Sequence, residues 1–263
     1  MKKNYDYNKE DIVNCLKKCN LSQGDSVFVH SNLGFFGKLE NAENADKLCQ
    51  IFEEAIFEVI GDQGTLIVPT YSLSFCNNEI YDLDKTPSYE CGIFSEYIRK
   101  KEKSKRTDDG NFSVSAIGFK ANFFTTEIDE HSFGENSFWG KFWKENGKIC
   151  RFNMSSDYNT FIHFVEKKNN VQYRMDKIFS GIIINKGKKI RKKNIHFVRN
   201  LNDNETIPHL NKLDKILENK GLIFNNKLGK GEIIISSTKD IANIISEEIK
   251  KTPSFLIKGE IRK

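Results

Sequence analysis

Apolar residues recur three to four apart over roughly 8–20, where Ile12, Cys15, Leu16 and Cys19 share one helical face, and Asn20-Leu-Ser-Gln-Gly-Asp ends the stretch. Ser26-Val-Phe-Val-His30 then reads as a strand. From about 43 to 60, Ala45, Leu48, Ile51, Phe52, Ala55, Ile56 and Val59 mark the buried side of a long helix, which Gly61-Asp-Gln-Gly64 breaks before a short apolar strand, Thr65-Leu-Ile-Val68. Strand, helix, strand in that order predicts parallel strands covered by helices. A polar loop over about 72–90, holding Pro87, leads to a helix near 92–101, and further strands are expected at 113–117 and 148–153.

The pattern then changes. A short helix carries Phe161, Phe164 and Val165 on one side, with Asp157 suited to its N-cap. Beyond it, 179–185 and 194–199 read as two strands joined by a basic turn, followed by a helix near 209–220, a hairpin from about 222 to 236, a helix at 238–250 and a last strand near 254–259. The expected fold is α/β: a mixed central sheet with flanking helices, and an antiparallel β plus helix extension packed on that sheet. No Pro/Ser linker divides it, so 1–263 is expected to form a single domain, with a core over about 1–178 and an extension over about 179–263.

Composition narrows the class. No apolar run approaches the roughly 20 residues that cross a bilayer, and no apolar segment follows Met-Lys-Lys-Asn-Tyr-Asp-Tyr, so neither membrane span nor signal peptide is expected. The six cysteines, at 15, 19, 49, 76, 91 and 150, lack zinc-ligand spacing and disulfide density, which predicts reduced thiols, no metal and a cytoplasmic location. The net charge of +5 is uneven: residues 1–100 hold 10 Lys/Arg against 16 Asp/Glu, and the remainder 31 against 20. The basic part concentrates in Lys101–Arg106 and Lys186–Lys193. Aromatic or helical groove readers beside these runs are missing, so nucleic acid is not an expected partner.

Candidate chemistry gathers in Asp157-Tyr-Asn-Thr160-Phe-Ile-His163-Phe-Val-Glu166, where helical spacing brings Thr160, His163 and Glu166 together. Histidine titrates near neutrality, as a general base should. Upstream lie Gly24-Asp-Ser-Val-Phe-Val-His30-Ser31-Asn32-Leu33, Gly64-Thr-Leu-Ile-Val-Pro69-Thr70-Tyr71, Arg106-Thr107-Asp108-Asp109-Gly110-Asn111-Phe112-Ser113 with its continuation to Gly118, and Ser132-Phe-Gly134-Glu135-Asn136-Ser137. These segments, in this order, resemble the aminoglycoside 3-N-acetyltransferase family from about Gly24 to Arg174.

That resemblance implies transfer of an acetyl or other short acyl group from coenzyme A to an amine, with no metal. It implies His163 as the base, with Asp157 and Glu166 both open as the group that orients it; Arg174 is a rival partner for Glu166. For acyl-CoA it points to His30, Ser31, Asn32 and Leu33 at a strand end, to Tyr71, to Gly92 ahead of a helix, and to Arg106, Thr107 and Ser113. For the amine substrate it points to Asp108, Asp109, Glu135, Asn136, Thr160, Tyr173 and Arg174. Cys91 and Cys150 are rival nucleophiles without an activating context. Antibiotic-modifying members read Arg-Ser-x-His-Pro where this chain places Asp109 and Gly110. That departure, together with Phe133–Lys141, Val171–Lys177 and the basic half, resembles relatives found with surface-polysaccharide enzymes and favours a nucleotide-linked amino sugar in glycan biosynthesis. An aminoglycoside substrate and a non-catalytic nucleotide-sugar binder are the alternatives, and a homodimer is compatible with either.

Overall fold

A computed structural model describes residues 4–259. The first helix, α1 (Lys9–Lys18), starts at a capping box in which Asn8 and Asp11 satisfy each other's backbone N–H groups. Strand β1 (Ser26–Ser31) follows, then helix α2 (Ala45–Ile60), strands β2 (Thr65–Pro69) and β3 (Tyr81–Asp82), helix α3 (Gly92–Arg99), strands β4 (Lys105–Arg106) and β5 (Val114–Gly118), helices α4 (Ala121–Thr125) and α5 (Phe138–Lys144), and strand β6 (Lys148–Phe152). Helix α6 (Ile162–Lys168), the long strands β7 (Arg174–Asn185) and β8 (Lys188–Arg199), helix α7 (Asn211–Asn219), strands β9 (Phe224–Leu228) and β10 (Gly231–Ser237), and helix α8 (Thr238–Lys251) complete the order.

Seven strands form a mixed sheet, β4-β5-β2-β1-β6-β10-β9. Only its centre is parallel, β1 lying parallel to both β2 and β6; β5 runs antiparallel to β2, and β10 antiparallel to β6. Alternation along each central strand feeds two cores. Val27, Val29, Leu66 and Val68 pack with α1, α2 and α3 residues such as Leu16, Phe52, Ile56 and Phe94. Phe28 and Ile67 point the other way, into a layer with Phe124, Trp139, Phe142, Phe161, Phe164 and Ile245. A strand buried on both faces reads as a near-continuous apolar run, as Val27–Val29 and Leu66–Val68 do.

The C-terminal part departs from the expected extension in three ways. The β9–β10 hairpin joins the central sheet: Ile233 and Ile235 pair with Phe152 and Cys150, covering an edge of β6 that would otherwise expose unpaired backbone. Strands β7 and β8 are twelve residues each and build a separate sheet with β3, so the supposedly irregular 72–90 loop contributes a strand. Over 254–259 there is no strand. Phe255, Leu256 and Ile257 are buried in a turn tied by a single bridge between Pro208 and Ile257.

Candidate active site

The carboxyl ends of β1 and β2, the N-terminus of α3, the segment 153–160 and the start of α6 enclose a cleft of about 980 Å³. Clefts outside the carboxyl ends of parallel strands are the usual ligand sites of α/β sheets. Of the sequence candidates, His30, Ser31, Asn32, Leu33, Tyr71, Gly92, Asp157, Thr160 and His163 line it.

Asp157 is not the cap of the His163 helix. It sits in a 3-10 turn (Ser156–Tyr158), where its Oδ1 accepts from the backbone N–H of Leu210 at 3.2 Å, and α6 begins only at Ile162. Glu166 is the neighbour of His163: Nδ1 lies 2.7 Å from Glu166 Oε2. Behind this pair, the Tyr173 hydroxyl donates to Glu166 Oε1 at 2.9 Å, and Arg174 Nε stands 2.7 Å from Oε2 as an ion pair. Glu166 is 1 % exposed, whereas the His163 side chain keeps 23 % of its surface open.

Burial pushes the Glu166 carboxyl up, but the His163 hydrogen bond and the Arg174 charge outweigh it and hold the group below the usual carboxylate range. An ionised carboxylate only accepts, so the ring proton sits on Nδ1 and Nε2 is left with a free lone pair. The imidazole itself is held below its ordinary value, first by burial and then by Arg174, with Glu166 opposing. His163 is therefore neutral near pH 7 and able to accept a proton.

Three further buried polar atoms in the cleft lack well-formed hydrogen bonds: His30 Nε2, Ser31 Oγ and the Tyr71 hydroxyl, which approaches Thr160 without a good bond. Burial, with Arg151 nearby, drives His30 down to about 3. Arg151 itself is committed to Asp214 through two bonds of 2.9 and 3.0 Å. Gly92 adopts φ +82°, and a side chain there would press on the Ser31 carbonyl at 3.2 Å, so glycine lets the start of α3 approach β1. Free N–H groups at such a helix start favour anions. Cys91 beside it donates to the Tyr89 carbonyl, and burial pushes its thiol up to about 12, the reverse of an activated nucleophile. Cys150 is fully buried, and its thiol is likewise pushed up by burial.

The remaining candidates lie off the cleft. Arg106 donates to Thr70 and Ser113 hydroxyls and to the carbonyls of Leu83, Thr86 and Thr70, leaving its guanidinium occupied by the fold. The Thr107 hydroxyl accepts from the N–H of Val114, and Ser113 donates to the Thr70 carbonyl. Asp109 accepts from the N–H groups of Asn111 and Phe112 and from the Ser132 hydroxyl, a buried turn anchor. Asp108 pairs with Lys192, Glu135 with Lys168, and the Asn136 side chain with Lys144, while Tyr173 and Arg174 stand behind Glu166. Among the described residues no group of three or more His, Cys, Asp or Glu side chains is placed to hold a metal.

Sequence reading missed Glu90, Phe112, Met154 and Asn159, which also line the cleft. Glu90 takes a left-handed φ of +51°, unusual for a side chain of its size and without any local sequence signal. The charged residues lining the cleft are Glu90 and Asp157; it has no Lys or Arg. The basic run Lys186–Lys193 instead forms the turn between β7 and β8 and the first part of β8.

The sequence model of the family described as aminoglycoside 3-N-acetyltransferase matches residues 28–250, well beyond Arg174 where the motifs end. A Bacillus subtilis (strain 168) relative, the SPbeta prophage-derived aminoglycoside N(3')-acetyltransferase-like protein YokD, is 24 % identical over 206 residues, 70 % of this chain and 73 % of its own. Among solved structures, AAC-IIIb in a binary complex with CoASH superposes with a TM-score of 0.77 at 16 % identity, covering 97 % of this chain and 98 % of the other. AAC-VIa bound to sisomicin superposes with a TM-score of 0.79 at 18 % identity, covering 93 % and 98 %. These two likenesses establish a shared fold.

Proposed function

The chain belongs to the aminoglycoside 3-N-acetyltransferase family, and on that premise we propose that it moves an acetyl or other short acyl group from coenzyme A to an amino group of an aminoglycoside-type substrate. The observation that carries the reading is the His163–Glu166 pair opening onto a cleft whose charged lining residues are both acidic. A polycationic amino sugar is attracted to Glu90 and Asp157, whereas a nucleotide-linked sugar would bring a second pyrophosphate, beside the coenzyme's own, into a cleft lined by no Lys or Arg. The Asp109-Gly110 departure also loses its bearing on substrate, because Asp109 is bonded within its own turn, away from the cleft. That the fold neighbours include one protein with CoASH and one with sisomicin is consistent with both halves of the reading.

In this reaction the amine nitrogen, in its neutral form, attacks the thioester carbonyl. His163 Nε2 takes the proton that nitrogen loses, and the C–N bond forms as the C–S bond breaks, the proton passing to the departing thiolate. Ser31, His30 and Tyr71, whose polar atoms have no committed partner, are placed to meet the acyl end of the coenzyme, and the start of α3 to meet an anionic part of it.

The test is thiol release by purified protein from acetyl-CoA with sisomicin, with kanamycin, and with an amino nucleotide sugar. Turnover on the aminoglycosides and little on the nucleotide sugar is expected. The reverse ranking would overturn the substrate assignment, and no release from any amine would remove the enzyme reading.

A further inference from the structure

Arg174 was a sequence candidate for touching substrate, yet its side chain is only 5 % exposed and stands behind the carboxylate that His163 faces. Its Nε forms an ion pair at 2.7 Å with Glu166 Oε2, its N–H out of line for a hydrogen bond, and the same oxygen lies 2.7 Å from His163 Nδ1. Its Nη1 donates to the Phe197 carbonyl at 3.3 Å, which anchors the guanidinium to β8. Tyr173, the residue before it, occupies the other oxygen.

We propose that Arg174 is a positioning residue for the His163–Glu166 pair, fixing the carboxylate from behind and cancelling its charge so that the imidazole stays neutral and presents Nε2 to the cleft. The proposal rests on His163 being the base of the reading above.

A lone buried carboxylate beside a histidine raises the ring's affinity for a proton, because protonating the ring cancels the neighbouring negative charge. That would shift the base towards its protonated form at neutral pH. Arg174 removes the need for that proton, since guanidinium and carboxylate already balance. The titratable and charged groups around the ring are Glu166 on its own helix, Tyr173 and Arg174 from the β7 side, and, among the residues lining the same cleft, His30, Tyr71, Tyr89, Glu90, Cys91, Asp157 and Tyr158. Of these only Arg174 is a cation. Phe133, edge-on to the ring at 5.5 Å, adds no charge. The arrangement also gives the base of the β7–β8 sheet a role: it delivers Tyr173 and Arg174 to the two oxygens of one side chain.

An NMR titration of the His163 ring in the full chain, its signal assigned by its loss in His163→Asn, reads this directly. In Arg174→Gln the ring should titrate about one unit or more higher than in wild type, the size of effect expected from removing a charge within about 6 Å. Arg174→Lys should stay near wild type. Arg174→Met, which keeps the apolar stem packed, is run beside them in case the glutamine variant does not fold. With a turned-over substrate, the acid limb of kcat/KM should move up by the same amount while KM for acetyl-CoA holds. An unmoved His163 titration in a folded neutral variant would overturn the proposal, as would a uniform activity loss with the limb in place. Because the titration needs no turnover, a protein that acylates nothing but shows the rise would refute the function and leave the positioning role standing.

Discussion

His163 Nδ1 and Glu166 Oε2 are 2.7 Å apart on a single short helix, three residues apart in sequence. The contact fixes the ring tautomer and leaves Nε2 as the accepting atom. Replacing His163 with Asn or Ala should lower turnover by about 100-fold to 10,000-fold near pH 7, the usual range for a general base. KM for acetyl-CoA should be nearly unchanged, because the ring acts on the amine. The defect should soften above pH 8, where the amine increasingly sheds its own proton. A variant matching wild type from pH 6 to 9 would give the ring a purely structural role.

Three histidines are held below their ordinary value chiefly by burial: His30, His163 and His196, the last between Phe112 and Phe179. A group whose folded value is depressed stabilises the fold above its unfolded value and loses that stability as pH falls. The loss should therefore begin near pH 6.5 and grow downward. For His30, driven down to about 3, it reaches about 2 kcal/mol by pH 5. Urea midpoints should fall between pH 7 and pH 5, and His30→Gln should lessen the difference. A midpoint flat over that interval would mean these rings are not buried neutral in solution.

Arg106 makes five hydrogen bonds, three of them to the main-chain carbonyls of Leu83, Thr86 and Thr70, the last shared with the Ser113 hydroxyl. Arg106→Met should cost on the order of 2–4 kcal/mol, since several acceptors lose their donor at once. KM for acetyl-CoA should be unchanged in the protein that still folds. Full stability with a raised KM would restore Arg106 to the coenzyme.

The elements legible in the sequence were those with a strong period. Helix α2 shows seven apolar positions at helical spacing, and the centres of β1 and β2, Val27–Val29 and Leu66–Val68, are apolar without interruption because both their faces are covered. Partner choice was not legible. Ile233 and Ile235 spell a strand, but their pairing with Phe152 and Cys150 depends on which sheet edge is free, a non-local matter. The same limit applies to the site. Motif order pointed to the His163 helix and the His30–Leu33 turn, both of which reach the cleft, while Arg106 and Asp109, in an equally suggestive motif, spend their polar atoms on the fold. Whether a polar side chain serves ligand or backbone is decided by what surrounds it, and Glu90 carried no pattern at all.

Glu90 and Asp157 supply the charge on which the preference for a polyamine rests. Asp157→Asn keeps an oxygen for the Leu210 N–H, so the 3-10 turn should survive the change, and Glu90→Gln keeps size at a position that already tolerates a left-handed backbone. Each should raise KM for a polyamine such as sisomicin by roughly threefold to tenfold, the weight of a partly solvated charge-assisted contact. Added salt should weaken wild type more than the double variant, since screening acts on the charges removed. KM for acetyl-CoA should hold or fall slightly, because the coenzyme is an anion relieved of repulsion. If instead the double variant bound sisomicin as wild type does, the acidic lining would play no part in selection, and the preference for a polycation over a nucleotide-linked sugar would lose its physical basis.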